Sequence, residues 1–247
     1  MRALFLACLA AAAAETVQIP MRDGILLHTE IDFPPFFPAG KKAPIVLERS
    51  PYGENKEELI ALVMAELLGY IGMRQDQRGT GQSGGKFGIW HDSVFDEFDT
   101  LAWVSNQSWF NGEAFITGVS ADGIDALATI SMPHPSVRAQ VIIFATSQAW
   151  ETFFPGGAYR EALIDGWLKS TVPSQAGGLI PFVHTQEAPG LPWWDTVTGS
   201  KWYQNVAWPV SVLSPASART CCTLTSNTRT QPPRRRPSCG GGGMTSF

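Results

Sequence analysis

Cysteine is absent from the whole body of this 247-residue chain. Cys8 lies near the start and Cys221, Cys222 and Cys239 lie near the end, so residues 15–210 contain none. A body of this length without cysteine is stabilised by its hydrophobic core and not by disulfide bridges. No pair of histidines or cysteines in the body has the spacing of metal ligands, and two adjacent cysteines are poorly arranged for zinc. The sequence therefore predicts neither a metal nor another cofactor.

A strong excess of charge and a long apolar run are also missing. Lys and Arg number 18 against 22 Asp and Glu, which gives a formal net charge of −4. This balance offers no electrostatic reason to expect a nucleic acid or an anionic membrane as partner. No apolar run reaches the roughly 20 residues that a membrane-spanning helix needs. With 44% hydrophobic residues the chain can bury a core, and the oligomeric state stays open.

The first residues have the layout of a secretory signal peptide. "MRALFLACLAAAAA" has one arginine, then an apolar run and several alanines before Glu15. This order of basic, apolar and small residues is typical of an export signal with cleavage after Ala14. We therefore expect residues 1–14 to be a signal peptide and the mature chain to be exported through the secretory pathway.

The body alternates between strand and helix patterns. Apolar alternation on both sides of "RDG" predicts a β-hairpin over "TVQIPMRDGILLHTEIDFP". "KKAPIVLERSPYG", "GYIGMRQD", "EAFITGVS" and "VRAQVIIFAT" predict four further strands. Between them, helical spacing predicts one helix around 60–68, a second with Val94, Phe98 and Leu101 on one face, and a third over "ADGIDALATISM". Strands separated by helices imply right-handed crossovers and a mainly parallel sheet.

The composition divides the rest of the chain. Residues 15–150 form the N-terminal part of this α/β domain, and the aromatic, Gly/Pro-punctuated residues 151–210 are expected to be a helical insertion, or cap, over the sheet's edge. Residues 211–247 contain no Asp, Glu, Lys or His but five arginines, three cysteines and "GGGG". Three explanations fit this segment: translation in a wrong frame or through an intron, a disordered low-complexity tail, or a basic tail that binds nucleic acid.

"FITGVSADGIDAL" contains a candidate nucleophile. A strand, Gly-x-Ser, a nearby glycine and a helix form the layout of a nucleophile elbow, which would hold Ser120 in a strained turn. Gly118 and Gly123 would avoid steric clashes, and the N–H groups at the start of the helix would face a developing oxyanion. The usual second glycine stands two residues after the serine, where this chain has Asp122. This stretch alone fits an ordinary Gly/Ser turn equally well.

Several segments occur in an order that carries a resemblance. "VQIPMRDGILL", "PIVLERSPYG", "GYIGMRQDQRGTGQSGGKF", "DEFDTLAWVSNQSWFNG", "GVSADG", "PHPSVRAQVIIFATS" and "FFPGGAY" follow one another. Over about residues 16–210 the chain resembles the α/β-hydrolases of the cocaine esterase, α-amino-acid ester hydrolase and X-Pro dipeptidyl-peptidase group. The resemblance implies an α/β-hydrolase fold, incomplete at its C-terminal end, with a mainly parallel sheet flanked by helices and a helical cap.

The resemblance also implies roles for individual residues. Ser120 matches the family's nucleophile, and Tyr52 in "RSPYG" matches a tyrosine that completes the oxyanion hole with the backbone N–H of Ala121. Without the resemblance, Tyr52 would be taken as a loop aromatic packed beside Pro51. The family usually has tyrosine where this chain has Ala121, so one wall of the pocket is altered.

No histidine of the chain matches the family's catalytic base. The family's acid and histidine come well after the serine, and the resemblance stops near residue 210, where the composition changes. The chain's four histidines are His28, His91, His134 and His184. His184 is only a weak candidate to replace the family's catalytic base. Asp165 and Asp195 follow the serine, but nothing in their spacing marks either as the acid. Asp76 and Arg78 match a segment with a structural role and are expected to form an ion pair and loop hydrogen bonds.

Two functions follow from these observations. The first is a secreted serine hydrolase that cleaves a small ester, amide or peptide substrate through an acyl-enzyme on Ser120, like an X-Pro dipeptidyl-peptidase or an acyl ester hydrolase. The second is a catalytically dead, truncated fragment that acts at most as a binding module, because no aspartate or histidine matches the family's pair. An in-frame histidine beyond residue 210 would discriminate between them.

Overall fold

The computed structural model describes residues 14–53, 67–198, 208–213 and 222–224. In these ranges the strands are β1 Ala14–Pro20, β2 Leu26–Asp32, β3 Ala43–Ser50, β4 Ile71–Asp76, β5 Phe110–Val119, β6 Val137–Ile143, β7 Val210–Leu213 and β8 Cys222–Leu224. They form one sheet in the spatial order β1-β2-β4-β3-β5-β6-β7-β8.

The first two strands form the predicted hairpin. β1 and β2 are antiparallel in a register that pairs Ala14 with Asp32 and Pro20 with Leu26. The turn contains Gly24 at a φ of 83°, a left-handed conformation that glycine adopts without a steric penalty. The turn residues and the apolar alternation therefore predicted this element correctly.

The centre of the sheet is parallel. β3 pairs in parallel with both β4 and β5, and β6 pairs in parallel with both β5 and β7. The antiparallel pairs are β1–β2, β2–β4 and β7–β8, at the two sides of the sheet. Nearly every residue of β3 is buried, as is usual for a parallel strand covered on both faces. The predicted mainly parallel sheet is confirmed.

Helices flank the sheet and build the insertion. They are α1 Ser93–Ser105, α2 Ala121–Ala128, α3 Ala149–Phe153, α4 Glu161–Thr171, α5 Pro173–His184 and α6 Pro192–Val197. α1 leads from β4 to β5, and α2 leads from β5 to β6, so the predicted alternation of strand and helix is confirmed. α3 to α6 follow β6 and confirm that the insertion is helical.

Two hydrophobic clusters organise these layers. The larger one lies on the sheet and includes the fully buried Leu47, Met73 and Leu101. The second is formed mainly by the insertion, and it packs against Ala121 and Ile124 of α2. The insertion therefore covers the start of α2, next to the end of β5.

The buried face of α1 carries acidic side chains. Leu101 is fully buried, but Val94 and Phe98 are only half-buried, whereas Asp96 and Glu97 are 1% and 5% exposed. The predicted helix is present, but the spacing of its apolar residues does not indicate that acidic side chains face the core. Their partners come from distant strands, which local spacing does not reveal.

The loop after β4 is held by charged groups. Arg78 Nη2 lies 2.6 Å from Asp96 Oδ1, and Arg78 Nη1 lies 2.6 Å from Asp23 Oδ2. Asp76 Oδ2 accepts a hydrogen bond of 2.8 Å from the backbone N–H of Gln82. The ion pairs of Arg78 are therefore with Asp96 and Asp23, and Asp76 makes a loop hydrogen bond as expected.

Several predictions lie wholly or partly outside the described residues. These are the signal peptide, except for Ala14 in β1, and most of the helix around 60–68. Of the predicted tail, 211–213 lie in β7 and 222–224 in β8, while its other residues are outside the described ranges. Among the helices that the structure describes, none is both long and apolar enough to cross a membrane.

Candidate active site

Ser120 stands at a strained turn between β5 and α2. β5 ends at Val119 and α2 begins at Ala121. The backbone of Ser120 has φ 57° and ψ −116°, a conformation that residues other than glycine rarely adopt. The N–H of Ser120 donates a hydrogen bond of 2.9 Å to the carbonyl oxygen of Ile143, which ties the turn to β6. A strained serine held by its neighbours is typical of a functional position.

Two glycines make the turn possible. A Cβ atom built on Gly118 would lie 2.5 Å from the backbone carbonyl carbon of Asp122. A Cβ atom on Gly123 would lie 2.7 Å from the Cβ of Ala145. Both distances are too short for a side chain, so both positions require glycine. The function of the usual second elbow glycine is therefore performed one residue later, at Gly123.

Ser120, Ala121 and Tyr52 line one cavity. It has a volume of about 220 Å³ and lies between the carboxyl ends of β3 and β5 and the insertion. The described lining residues are Tyr52, Trp90, Ser120, Ala121, Ile124, Thr152, Phe153, Leu163, Ile164 and Trp167. The structure thus brings the three residues that the sequence singled out into one place, although they lie in two separate parts of the chain. The sequence did not identify the other lining residues individually.

Two groups in this cavity are hydrogen-bond donors suited to an oxyanion. Ala121 is the first residue of α2, so its N–H has no acceptor within the helix. Burial, and then the negative charge of Asp122, raise the pKa of the Tyr52 phenol above its ordinary value. The phenol therefore stays neutral and keeps its proton, which it can donate toward developing negative charge.

A pair of buried carboxyl groups lies behind the turn. Glu48 on β3 and Asp122 on α2 are 6% and 7% exposed. The Oδ1 of Asp122 has no hydrogen-bond partner among the described residues, and Ser50 Oγ accepts the N–H of Tyr52 at 3.3 Å. Burial, followed by the charge of Glu48, raises the pKa of Asp122 well above its ordinary value. Sequence reasoning missed this pair.

Arg49 forms a second buried polar group beneath α2. Its Nη1 lies 3.1 Å from Asp125 Oδ2, and its Nη2 lies 3.7 Å from Asp96 Oδ2. Its Nε donates to Gln75 Oε1 at 2.9 Å and its Nη1 to the carbonyl oxygen of Ser93 at 3.0 Å. The only signal in the sequence was the pair of charged residues inside the apolar run "PIVLERS".

Three of the four histidines lie on other parts of the sheet and its loops. They are His28 on β2, His91 before α1 and His134 before β6. Their polar neighbours are Glu30 at 3.8 Å, Thr196 at 3.0 Å and Ser136 at 2.7 Å, in that order. Burial lowers the pKa of His134, which favours its neutral form. None of the three is among the described residues that line the Ser120 cavity.

His184 belongs to a polar cluster within the insertion. The hydroxyl of Tyr159 donates a hydrogen bond of 2.6 Å to Asp165 Oδ1, and His184 Nε2 lies 3.7 Å from the same oxygen. The rings of Tyr159 and His184 are 4.5 Å apart. Neither Asp165 nor His184 is among the described lining residues of the Ser120 cavity. The cluster connects α4 with α5, and we assign it no catalytic role.

One family model matches more than half of the chain. It is that of the X-Pro dipeptidyl-peptidase (S15 family), and it matches residues 23–180. Among curated proteins, the cocaine esterase of Rhodococcus sp. (strain MB1 Bresler) is 29% identical over 161 residues. That alignment covers 62% of this chain and 28% of the esterase.

Solved structures share the fold. An α-amino acid ester hydrolase is similar with a TM-score of 0.66 at 24% identity, over 84% of this chain and 43% of that one. A CocE/NonD family hydrolase from Staphylococcus aureus is similar with a TM-score of 0.63 at 20% identity, over 79% of this chain and 39% of that one. The chain thus spans less than half the length of each of these proteins.

Proposed function

Because the chain belongs to the X-Pro dipeptidyl-peptidase (S15) family of hydrolases, we propose that it is a serine hydrolase that acts through an acyl-enzyme on Ser120. Its substrates would be small esters, amides or peptides. The observation that carries this proposal is the single cavity that contains Ser120, Tyr52 and Ala121. A strained serine that shares a cavity with two oxyanion donors suits nucleophilic attack on a carbonyl group.

The proposed reaction has two steps. Ser120 Oγ attacks the carbonyl carbon of the substrate, and the resulting oxyanion accepts hydrogen bonds from Tyr52 Oη and the N–H of Ala121. The alcohol or amine leaves with a proton, and water then hydrolyses the acyl-enzyme to release the acid and free Ser120. The base that takes the proton of Ser120 is not among the described residues of the cavity lining.

The cavity supports an uncharged acyl group. Its walls include the side chains of Trp90, Phe153, Ile164 and Trp167, and none of the described lining residues carries a formal charge. A charged acyl group would lose its hydration there without gaining an ionic partner. We therefore expect apolar acyl esters to be better substrates than esters of a dicarboxylic acid.

Hydrolysis of p-nitrophenyl esters tests the proposal. Wild-type protein should hydrolyse p-nitrophenyl butyrate, and Ser120→Ala should lose this activity. Tyr52→Phe removes one oxyanion donor and should lower kcat by about 100- to 1,000-fold. Ser105→Ala is the matched control, because Ser105 is exposed at the end of α1 and should not matter. Equal hydrolysis by wild type and Ser120→Ala would contradict the proposal.

One observation favours the second candidate function, a catalytically dead binding module. The described residues of the cavity lining include no histidine, and a serine hydroxyl is a poor nucleophile without a base. This candidate predicts that the wild-type protein binds an uncleavable apolar ester analogue but hydrolyses no ester. Binding measured by calorimetry, without turnover, would favour it over the hydrolase.

We also propose that residues 1–14 direct export and are then removed. Cleavage after Ala14 would leave Glu15 paired with Ile31, so all but the first pair of the β1–β2 ladder would remain. Mass spectrometry of the protein recovered outside the cells tests this. A mature chain that begins at Glu15 is expected, and a recovered chain that still begins at Met1 would contradict it.

A further inference from the structure

The glycine-rich loop after β4, residues 79–87, closes on itself. The N–H of Gly79 donates a hydrogen bond of 2.9 Å to the carbonyl oxygen of Gly84. Gly79 has a φ of 72°, and a Cβ atom built on it would lie 2.1 Å from the backbone nitrogen of Phe87. The two ends of the loop therefore touch, with no room for a side chain between them.

Gln175 of the insertion binds both ends of this loop. Its Oε1 accepts a hydrogen bond of 2.9 Å from the N–H of Phe87, and its Nε2 donates one of 2.7 Å to the carbonyl oxygen of Gly79. Gln175 is half-buried in the first turn of α5. A side-chain amide can accept at one end and donate at the other at the same time. One side chain thus fastens the loop to the insertion at two points.

The chain that leaves the loop forms a strained wall of the Ser120 cavity. Ile89 and Trp90 have φ values of 50° and 67°, although a β-branched or bulky residue rarely adopts a positive φ. Both are buried, at 0% and 4% exposed, and Trp90 lines the cavity. A strained backbone of this kind persists only where its surroundings hold it in place.

Aromatic rings of the insertion pack against this wall. The ring of Trp90 stacks on that of Trp167, with centroids 5.4 Å apart and 24° between the planes. Phe87 meets Trp167 edge-on at 5.9 Å, and Trp90 meets Phe153 edge-on at 6.2 Å. Because hydrogen bonds weaken steeply when their angles change, the two bonds from the Gln175 amide set the distance and direction at which these rings meet.

We propose that Gln175 is a positioning residue that holds Trp90 in place as the wall against which the acyl group of the substrate packs. This inference rests on the proposed function, because it assumes that an acyl group enters the Ser120 cavity. Gln175 is not among the described residues that line this cavity, so it acts through Trp90. Its loss should weaken the binding of larger acyl groups more than that of small ones, and should leave the oxyanion donors unchanged.

Hydrolysis of two p-nitrophenyl esters tests this selectivity. Gln175→Met removes both hydrogen bonds and should raise KM for the butyrate about 10-fold, KM for the acetate by less than about twofold, and change kcat by less than about threefold. Gln175→Glu still accepts from Phe87 but sets a carboxylate against the carbonyl oxygen of Gly79, so it should behave like Gln175→Met. Gln186→Met is the matched control, because the Gln186 amide bonds the adjacent Thr185 at 2.8 Å. Its KM values should equal those of the wild type.

Circular dichroism tests the placement of Trp90 without catalysis. The wild-type spectrum minus that of Trp90→Phe defines the band of the stacked indoles, which Gln175→Met should lose and Gln186→Met should keep. If Gln175→Met does not fold, Gln175→Glu provides the same comparison. If the wild type hydrolyses no ester but the band depends on Gln175, the proposed function fails while the positioning of Trp90 stands. A band that survives in both Gln175 variants overturns the positioning role, whatever the activity. A lost band with equal KM changes for the two esters overturns the role in acyl selectivity.

Discussion

The buried carboxyl group of Glu97 is expected to make the stability of the protein depend on pH. Glu97 lies on α1, and its Oε2 has no hydrogen-bond partner among the described residues. Burial raises the pKa of this carboxyl group to about 8, from an ordinary value of 4.5. The charge of Arg49 opposes the rise, the charge of Asp125 adds to it, and the nearby hydroxyl of Thr129 opposes it. The folded protein therefore holds this proton at neutral pH, whereas the unfolded chain releases it.

The magnitude follows from the difference between the two pKa values. Because the folded-state pKa is the higher one, the contribution of Glu97 to stability is complete below about pH 4.5 and declines up to about pH 8. The decline is about 1.4 kcal/mol per pH unit, so about 3 kcal/mol is lost at pH 7. Glu97→Gln removes the titration and should raise the free energy of unfolding at pH 7 by up to this amount.

Urea unfolding, followed by tryptophan fluorescence at several pH values, measures the effect. The difference in unfolding free energy between Glu97→Gln and wild type should grow steadily between pH 5 and pH 8. Glu113→Gln is the control, because the side chain of Glu113 is 48% exposed and its pairing with Arg138 is at the surface. That variant should show no such trend. A Glu97→Gln variant that is equally or less stable than wild type at pH 7 would refute the reasoning.

Three further predictions concern the elbow, the buried arginine and the cavity. Gly123→Ala should destabilise the protein by about 1–3 kcal/mol through overpacking. The control Gly166→Ala lies in open space within α4 and should stabilise the protein by about 1 kcal/mol. Equal melting temperatures of the two variants would contradict this prediction. Arg49→Leu removes the cation that pairs with the buried carboxylate of Asp125 and should cost about 3–5 kcal/mol. The exposed control Arg138→Leu should change the free energy of unfolding in urea by less than about 0.5 kcal/mol, and similar losses in the two variants would argue against this prediction. Trp167→Ala should raise KM for esters with an aromatic acyl group more than KM for acetyl esters. An equal change in KM for both kinds of ester would contradict the assignment of this cavity as the acyl pocket.

Local patterns were sufficient to predict most of the fold. The hairpin around Gly24 and the parallel strands have apolar periodicities that reflect the burial of one or both faces. The elbow was harder, because its second glycine is at Gly123 and not at the usual position. The reason became visible only in three dimensions, where Ala145 from the loop after β6 fills the space that a side chain would need.

The buried polar groups were not predictable from local patterns. Arg49 and Asp125 are 76 residues apart in the chain, and their contact depends on how β3 and α2 pack. Asp96 and Glu97 match the acidic start of a helix, yet both are buried. Asp122 was noted only because it occupies the place of a glycine, whereas the approach of its carboxyl group to Glu48 depends on how α2 packs on β3. Long-range pairing of charges leaves no periodic signal in a sequence.

The most direct test of the central claim is covalent labelling of Ser120 by a fluorophosphonate, which reacts with activated serine hydroxyl groups. Intact-mass analysis of the full chain should show one added phosphonyl group, and peptide mapping should place it on Ser120. Ser120→Ala and urea-unfolded wild type should stay unlabelled, and Ser105→Ala should label like wild type. A native wild-type chain that stays unlabelled, or that is labelled at another serine, would contradict the assignment of Ser120 as the nucleophile.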